Sequence, residues 1–320
     1  MTAAATAFSA DFLARNRVEE QRLADKTTFR IGGPATVVRL DDRRDLAEAR
    51  AVCGRVLGGG ANLLVGDEGV AEPVLRLGRD FALIDIGNVQ GGVVRVSAGA
   101  GAELPRLVAT CVRAGVQGFE ELAGIPGLVG GAAVMNAGTR TCWLLDRATA
   151  VEAWLPGEEA PRQVDRSEIP AGYRDGGLGD GALILSLTWS LPVADPAVLA
   201  ATAEKTRAAK QAAQPVSARS PGCMFKNPAA DLPAGKVLDE LGCKGWRVGD
   251  AVVSDRHANF ILNAGAATAR DVCSLVQRLR RHAWRQRRVA LHLEVRTWDC
   301  PEDLAIHPQE LGEEHGPLDR

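Results

Sequence analysis

The sequence contains no hydrophobic run long enough to cross a membrane. Its apolar stretches, such as GALILSLTW, fall far short of the roughly 20 residues that a bilayer requires. The N-terminus lacks a basic start followed by an apolar block, so we expect no signal peptide. Neither sign of charge dominates, because the formal net charge at pH 7 is -2. This balance gives no reason to expect a nucleic acid or a membrane as partner.

Patterns that mark metal sites and disulfide frameworks are also missing. The seven cysteines are odd in number and none forms a CxxC pair. The five histidines show no HExxH spacing. We therefore expect reduced thiols, a cytoplasmic location and no metal.

Glycine, in contrast, is abundant, with 35 residues that cluster between positions 58 and 138. The main clusters lie at 58–60, 99–101 and 124–131. None matches GxGxxG opening a helix or GxxxxGK[ST], so neither a Rossmann site nor a P-loop is indicated. Backbone N–H groups in such loops can still bind a pyrophosphate. Glycine content alone leaves open whether these loops bind a dinucleotide or are turns of a glycine-rich sheet.

Strands and helices alternate along the chain, which indicates an α/β or α+β protein. Alternating polarity predicts strands in PATVVRL, FALIDIGN, GVVRVSAGAG and VALHLEVRTW. Helical spacing predicts helices in DRRDLAEARAVC, AELPRLVATCVRAG and TARDVCSLVQRLRRHAWRQR, with Thr268 as a cap for the last. We expect residues 1–20 to be a frayed, partly helical lead-in and the acidic segment 301–320 to be a flexible tail.

Seven motifs occur in an order that identifies a resemblance. They are TTFRIGGPA, VLGGGANLLVGDEG, AGIPGLVGGAAVMNAG, GYRD, GCMFKNP, VSDRHANFILN and LEVR. Over roughly residues 21–298 the chain resembles the UDP-N-acetylenolpyruvoylglucosamine reductase family. Each motif alone is a weak signal, whereas seven in register are specific.

The resemblance implies an α+β chain whose two-subdomain FAD-binding fold is of the vanillyl-alcohol-oxidase (PCMH) type. This domain is expected over 21–192, split near 78, with a linking helix over 193–214. A smaller α/β substrate-binding domain follows over 215–300. By the same resemblance, two loops contact FAD. Their residues are Gly58, Gly59, Gly60, Ala61, Asn62 and Leu63 at the pyrophosphate, and Ile125, Pro126, Gly127, Val129, Gly130 and Gly131 at the flavin and its ribityl chain.

The implied reaction has two halves and belongs to peptidoglycan precursor synthesis. NADPH reduces FAD, and the reduced flavin then reduces UDP-N-acetylglucosamine enolpyruvate to UDP-N-acetylmuramate. Hydride adds to the terminal carbon of the enol ether, so negative charge collects on the carboxylate side. Such a site needs a cation or an acid that faces this charge, together with a proton donor for the adjacent carbon.

The resemblance assigns three catalytic residues. Arg174, in GYRD, would face the substrate carboxylate; the alternative is an ordinary surface arginine. Cys223, in GCMFKN, stands where many members carry a proton-donating serine; a lone cysteine is otherwise often a small buried hydrophobe. Glu294, in LEVR, matches the family's glutamate and needs a pKa raised by burial to act as an acid; it could also face solvent from a strand.

Four further residues are predicted to bind the substrate. Tyr173 precedes the arginine, and Asn227 is expected at the nucleotide sugar. Lys226 is expected either to bind a phosphate of the substrate or only to cap its own loop. Lys210 is a candidate for the diphosphate, or else a solvated helix residue. The chain departs from the family at Gly176, where serine is common, and at His292.

The sequence leaves two other functions open. One is a different FAD-dependent alcohol or sugar oxidoreductase on the same fold, which would reuse the glycine loops but does not need GYRD, GCMFKN and LEVR together. The other is a non-catalytic flavin or nucleotide-sugar binding module, which leaves the cation, acid and proton donor unexplained. We expect a monomer that acts on a UDP-sugar.

Overall fold

The computed structural model describes residues 3–301, and the chain divides into two compact units. The first contains the residues up to 20 together with 36–59 and 71–212. The second contains 21–35, 60–70 and the residues from 213 onward. Each unit therefore collects segments that are far apart in the sequence.

Seven α-helices and fourteen strands form the described part of the chain. The helices are α1 Ala10–Arg15, α2 Leu46–Val52, α3 Leu104–Arg113, α4 Val129–Val134, α5 Pro196–Ala213, α6 Ala234–Glu240 and α7 Ala269–Arg287. The strands are β1 Arg17–Arg22, β2 Pro34–Leu40, β3 Arg55–Val56, β4 Leu63–Val65, β5 Val74–Leu77, β6 Ile84–Gln90, β7 Val93–Gly99, β8 Ala148–Trp154, β9 Arg162–Asp165, β10 Leu183–Pro192, β11 Arg247–Val248, β12 Ala251–Val253, β13 Ile261–Asn263 and β14 Arg296–Trp298.

The first unit contains an antiparallel sheet of order β6-β7-β10-β8-β9. Strand β10 lies at its centre, with Leu187 opposite Ala98 on one side and Val151 on the other. Both faces of β10 are largely buried because its residues are apolar with few interruptions. Trp189 is fully buried there, and its indole N–H donates to the carbonyl of Leu144 at 2.8 Å. A smaller sheet has the order β1-β2-β5-β3.

The second unit contains an antiparallel sheet β11-β12-β13, a parallel pair β14-β4 and the long helix α7. Thr268 and Asp271 form a capping box at the start of α7, as the sequence predicted. Asp67 adds a second cap, because its carboxylate accepts from the N–H groups of Ala269 and Arg270 at 2.8 and 3.2 Å. The apolar face of α7, including Val272, is buried in this unit's core.

Two sequence expectations need correction. Residues 1–20 are not frayed where described: Ser9 caps α1, Phe12 is fully buried, and β1 follows. VALHLEVRTW is not one continuous strand, because only Arg296–Trp298 form β14 and Leu293 makes an isolated bridge. Within the predicted tail, residues 302–320 lie outside the described part of the chain.

None of the described helices combines the length and the apolar composition that a bilayer-spanning segment needs. All seven cysteines are free. Over residues 3–301, the acidic, histidine and cysteine side chains form no group of three suited to a metal ion.

Candidate active site

In the first unit, two predicted cofactor loops pack backbone against backbone. A Cβ at Gly59 would lie 2.6 Å from the Cα of Gly127, closer than any side chain allows. A Cβ at Gly58 would lie 3.5 Å from the Cα of Gly131, an ordinary van der Waals contact. Glycine is therefore required at position 59 for the two loops to meet. The structure brings together these four predicted cofactor residues, all within one unit.

The glycine loop continues into the second unit with Gly60. Its φ of +61° is left-handed, and a Cβ there would lie 2.1 Å from the carbonyl oxygen of Lys26. Within the described residues, the N–H groups of positions 58–61 donate to no backbone carbonyl outside regular elements. Consecutive N–H groups of this kind are suited to phosphate oxygens. The residues present thus fit the FAD pyrophosphate.

The end of this loop is joined to the segment that contains Glu294. The side-chain amide of Asn62 donates to the carbonyl of Glu294 at 3.0 Å. The N–H of Arg296 donates to the carbonyl of Asn62 at 3.1 Å. From there β4 and β14 pair in parallel, with Leu63 opposite Arg296. A predicted cofactor segment and a predicted catalytic residue therefore share one hydrogen-bonded ladder.

The segment that contains Cys223 lies on the other side of Glu294. The N–H of Glu294 donates to the carbonyl of Met224 at 2.9 Å, and Phe225 bridges to Leu293. Cys223 is half-buried and follows Gly222, whose φ is +93°. The backbones of Cys223 and Glu294 are thus neighbours within the second unit.

Asn259 fixes the same segment, and the sequence analysis gave it no role. Its side chain is buried, accepts from the N–H of Phe225 at 2.9 Å and donates to the carbonyl of Phe225 at 2.8 Å. Its own carbonyl accepts from the N–H of Met224 at 2.8 Å. The only sequence signal was its place in VSDRHANFILN, inside a predicted strand pair.

The other predicted residues of the GCMFKN segment also have structural contacts. The N–H of Lys226 donates to the carbonyl of His292 at 2.8 Å. The side-chain oxygen of Asn227 accepts from the N–H of Ala234 at 3.1 Å, at the start of α6. These contacts fix the segment, and the substrate roles of Lys226 and Asn227 stay predictions.

Arg174 lies in the first unit at the tip of a tight turn. Gly172 and Asp175 exchange backbone hydrogen bonds across it, at 2.8 and 3.3 Å. Arg174 has a φ of 55°, a left-handed conformation that is costly for a side-chain-bearing residue. Its guanidinium carbon lies 5.3 Å from the ring centre of Tyr173, which is 41% exposed. Strained residues of this kind are concentrated at functional sites.

The departure at Gly176 has a steric reason. Its N–H donates to the carbonyl of Val134 at 2.9 Å, and a Cβ would lie 2.2 Å from the carbonyl oxygen of Ala133. The serine that is common in the family therefore does not fit this backbone. The close approach ties the turn of Arg174 to the end of α4.

Lys210 is not a freely solvated helix residue. Its ammonium group donates to the carbonyl of Ala123 at 2.7 Å, directly before the predicted flavin loop. Its Cδ lies 3.4 Å from the position of a Cβ on Gly124. Burial lowers the pKa of Lys210 to about 8. The predicted diphosphate role stays untested, whereas the contact with the loop is direct.

The candidate catalytic residues are divided between the units, since Arg174 lies in the first and Cys223 and Glu294 in the second. The structure brings the last two together through backbone pairing. Convergence of all three on one substrate stays a prediction.

Comparison with known proteins first defines the class. Residues 34–160 match the FAD binding domain family, so the chain carries an FAD-binding fold. Residues 214–298 match the family of UDP-N-acetylenolpyruvoylglucosamine reductase C-terminal domains.

Individual relatives then define the family. A UDP-N-acetylenolpyruvoylglucosamine reductase from Thermus thermophilus is 42% identical over 283 residues, which is 88% of this chain and 99% of the relative. One from Deinococcus radiodurans is 38% identical, covering 90% and 97%. The crystal structure of the reductase from Thermus caldophilus is 39% identical and superposes with a TM-score of 0.79, covering 88% and 99%. The chain belongs to the UDP-N-acetylenolpyruvoylglucosamine reductase family.

Proposed function

We propose that the protein catalyses the NADPH-dependent reduction of UDP-N-acetylglucosamine enolpyruvate to UDP-N-acetylmuramate, a step of peptidoglycan precursor synthesis. The observation that supports it most is the backbone ladder in the second unit. There the glycine loop, the LEVR segment and the GCMFKN segment are joined by hydrogen bonds through Asn62, Glu294 and Met224. A cofactor-binding loop beside an acid and a thiol suits reduction followed by protonation.

The cofactor would be held by this chain's glycine loops. The N–H groups of residues 58–61 would bind the pyrophosphate, and the backbone at 125–131 would lie against the flavin and ribityl chain. Bound FAD would supply the transfer of hydride from NADPH to the substrate's terminal carbon. The protein's own contribution is placement, charge and protons.

Arg174 would stabilise the developing negative charge at the substrate carboxylate. Its planar guanidinium can donate two parallel hydrogen bonds to a carboxylate. The guanidinium lies over the ring of Tyr173, which would bind the substrate beside it. Arg174 lies in a short turn and has a left-handed backbone conformation. The position of its side chain therefore does not depend on a long flexible loop.

Cys223 would protonate the carbon beside the carboxylate, and Glu294 would assist from the neighbouring strand. A thiol is a stronger acid than the serine hydroxyl usual in the family, and it can donate only while protonated. Glu294 must be uncharged to donate a hydrogen bond, which requires a raised pKa. Lys226, Asn227 and Lys210 are proposed to serve the diphosphate and the nucleotide sugar.

Further properties are proposed on the same basis. The FAD-binding domain would cover residues 21–192, the linking helix 193–214 and the substrate domain 215–300. The protein would be a cytoplasmic monomer whose partner is the UDP-sugar, with no nucleic acid and no membrane involved.

An anaerobic titration tests the proposed function. The purified protein should be yellow, should lose its flavin absorbance on addition of NADPH, and should regain it on addition of the UDP-sugar enol ether. Reoxidation by simple aldehydes, ketones or sugar lactones instead would favour a different flavin oxidoreductase, because these are the oxidised products of alcohols and sugars. A yellow protein that NADPH does not bleach would favour the binding module. Either result contradicts the proposal.

A further inference from the structure

Asn62 makes a contact that a cofactor-binding role does not require. Its side-chain amide spans 232 positions in sequence to donate to the carbonyl of Glu294 at 3.0 Å. A carbonyl oxygen only accepts, so the amide nitrogen must face it. The contact is half-buried, where exchange of the bond for water costs more than on an open surface.

This contact extends the ladder between β4 and β14, whose regular pairing begins at Arg296 and does not include Glu294. Pairing between β4 and β14 begins with Leu63 opposite Arg296. Residues 289–295 form no regular strand. The side chain of Asn62 adds one further rung, at the carbonyl of Glu294.

The backbone of Glu294 is held at both its N–H and its carbonyl group. Its N–H donates to the carbonyl of Met224, next to Cys223. Its carbonyl accepts from Asn62, two residues after Gly60 in the glycine loop. The orientation of the Glu294 side chain therefore depends on the cofactor loop as well as on the thiol segment.

We propose that Asn62 is a positioning residue for Glu294, and that its amide holds this acid in register with the glycine loop. The inference rests on the proposed function. It differs from a role of Asn62 as a cofactor contact, because the two roles affect different steps. Loss of a cofactor contact weakens FAD binding and slows both half-reactions. Loss of the positioning contact slows only the half-reaction that uses Glu294.

The test compares the two half-reactions in Asn62→Leu, which has a similar shape, no donor and no added charge. Stopped-flow absorbance under nitrogen gives the rate of flavin reduction by NADPH and of reoxidation by the UDP-sugar enol ether. Displacement of an acid by about 1 Å can cost up to 100-fold in rate, so we expect reoxidation to slow by at least about tenfold. Because Asn62 is also an expected cofactor residue, the Kd of FAD is measured by flavin fluorescence, and the ratio of the reoxidation rate to the reduction rate should still fall by at least about tenfold.

A structural readout accompanies the rates. Without the Asn62 rung, amide hydrogen exchange in holoprotein peptides covering 292–296 should accelerate by about tenfold, because the ladder loses its terminal restraint. Asn62→Ser, too short to reach the carbonyl, should behave in the same way and replaces the leucine variant if that one does not fold.

The matched control is Asn263→Asp in the same unit. The amide of Asn263 donates to the carbonyl of Phe29 at 3.2 Å, and its oxygen accepts from Gly265 and Ala267, which a carboxylate can still do. This variant should lower Tm without changing the ratio of the two half-reaction rates.

Each outcome bears on the inference. Equal slowing of both half-reactions with weaker FAD binding, or unchanged reoxidation and exchange, would overturn it. A wild-type protein that the enol ether does not reoxidise would instead overturn the proposed function, and that result appears before any variant is made.

Discussion

The two units hold their candidate catalytic residues in different ways. In the first, Arg174 depends on local conformation: a tight turn with a left-handed residue, closed by Gly172 and Asp175. In the second, Cys223 and Glu294 depend on pairing between segments that are distant in sequence. The difference shows that a candidate residue can be held by local strain in one unit and by long-range backbone pairing in the other.

This contrast has consequences for substitution. A strained turn gains stability when the strained residue is replaced by glycine, but loses the functional side chain. Segments held by their backbones tolerate changes of side chain without loss of position. The units should therefore respond differently to comparable mutations.

The largest expected effect is at Cys223, where the backbone should stay in place while the donor is lost. Cys223→Ala should lower turnover of the enol ether by about 100-fold or more, because a positioned proton donor contributes about that much. Cys223→Ser should keep measurable turnover. Steady-state formation of UDP-N-acetylmuramate measures both, and flavin reduction by NADPH should be unaffected. Normal turnover in the alanine variant would refute the donor role.

Arg174→Gly tests the strained turn. It should lower turnover by about 100-fold through loss of the cation, while thermal unfolding shows stability unchanged or higher by up to about 1 kcal/mol. Arg288 is the matched control, since it has the same φ of 55° at the end of α7. Arg288→Gly should affect stability similarly and leave turnover unchanged. A clear loss of stability in Arg174→Gly would show that the turn is not strained.

A smaller effect is expected when two adjacent glycines of the first unit are replaced by alanine: the two variants should differ in their free energy of unfolding. Gly59→Ala places a methyl 2.6 Å from Gly127 and should destabilise the protein by about 1–3 kcal/mol, because the loops must move apart. Gly58→Ala meets Gly131 at 3.5 Å and should cost less than about 1 kcal/mol. Denaturant unfolding of the FAD-free proteins compares them. Equal costs would contradict the close packing of the two loops.

The smallest effect concerns Lys210. Burial lowers its folded-state pKa to about 8 from 10.5, so between these values the unfolded chain binds more protons and stability rises with pH. Cys142 nearby has a pKa raised to about 11 by burial, which opposes this rise above pH 9. The difference between wild type and Lys210→Met therefore isolates the lysine, with exposed Lys205→Met as control. An identical pH dependence of Tm in all three would contradict the assignment.

The sequence predicted the fold class and the regular elements with strong patterns. The helix capped by Thr268 is confirmed, because a capping box and an apolar stripe are local signals. The strands of FALIDIGN and GVVRVSAGAG are confirmed as β6 and β7. The helical content of the N-terminal segment was expected, but its order and the burial of Phe12 were not, because a short helix is stabilised by packing and not by its own propensity.

The site was predictable only as a set of residue types. The motifs identified Cys223 and Glu294, but not the hydrogen bonds that join their segments, since those bonds are made by backbone groups and carry no sequence signature. Asn259 and the contact of Asn62 with Glu294 depend on which distant segments meet. Which distant segments pair depends on the fold of the whole chain and cannot be predicted from local sequence patterns.

The central claim is that Arg174 and Glu294 are both needed for the second half-reaction. Stopped-flow reoxidation of the NADPH-reduced protein by the UDP-sugar enol ether, in Arg174→Ala and Glu294→Gln, tests it most directly. We expect both variants to reoxidise at least about 100-fold more slowly than wild type. Reoxidation at the wild-type rate in either variant would contradict the account.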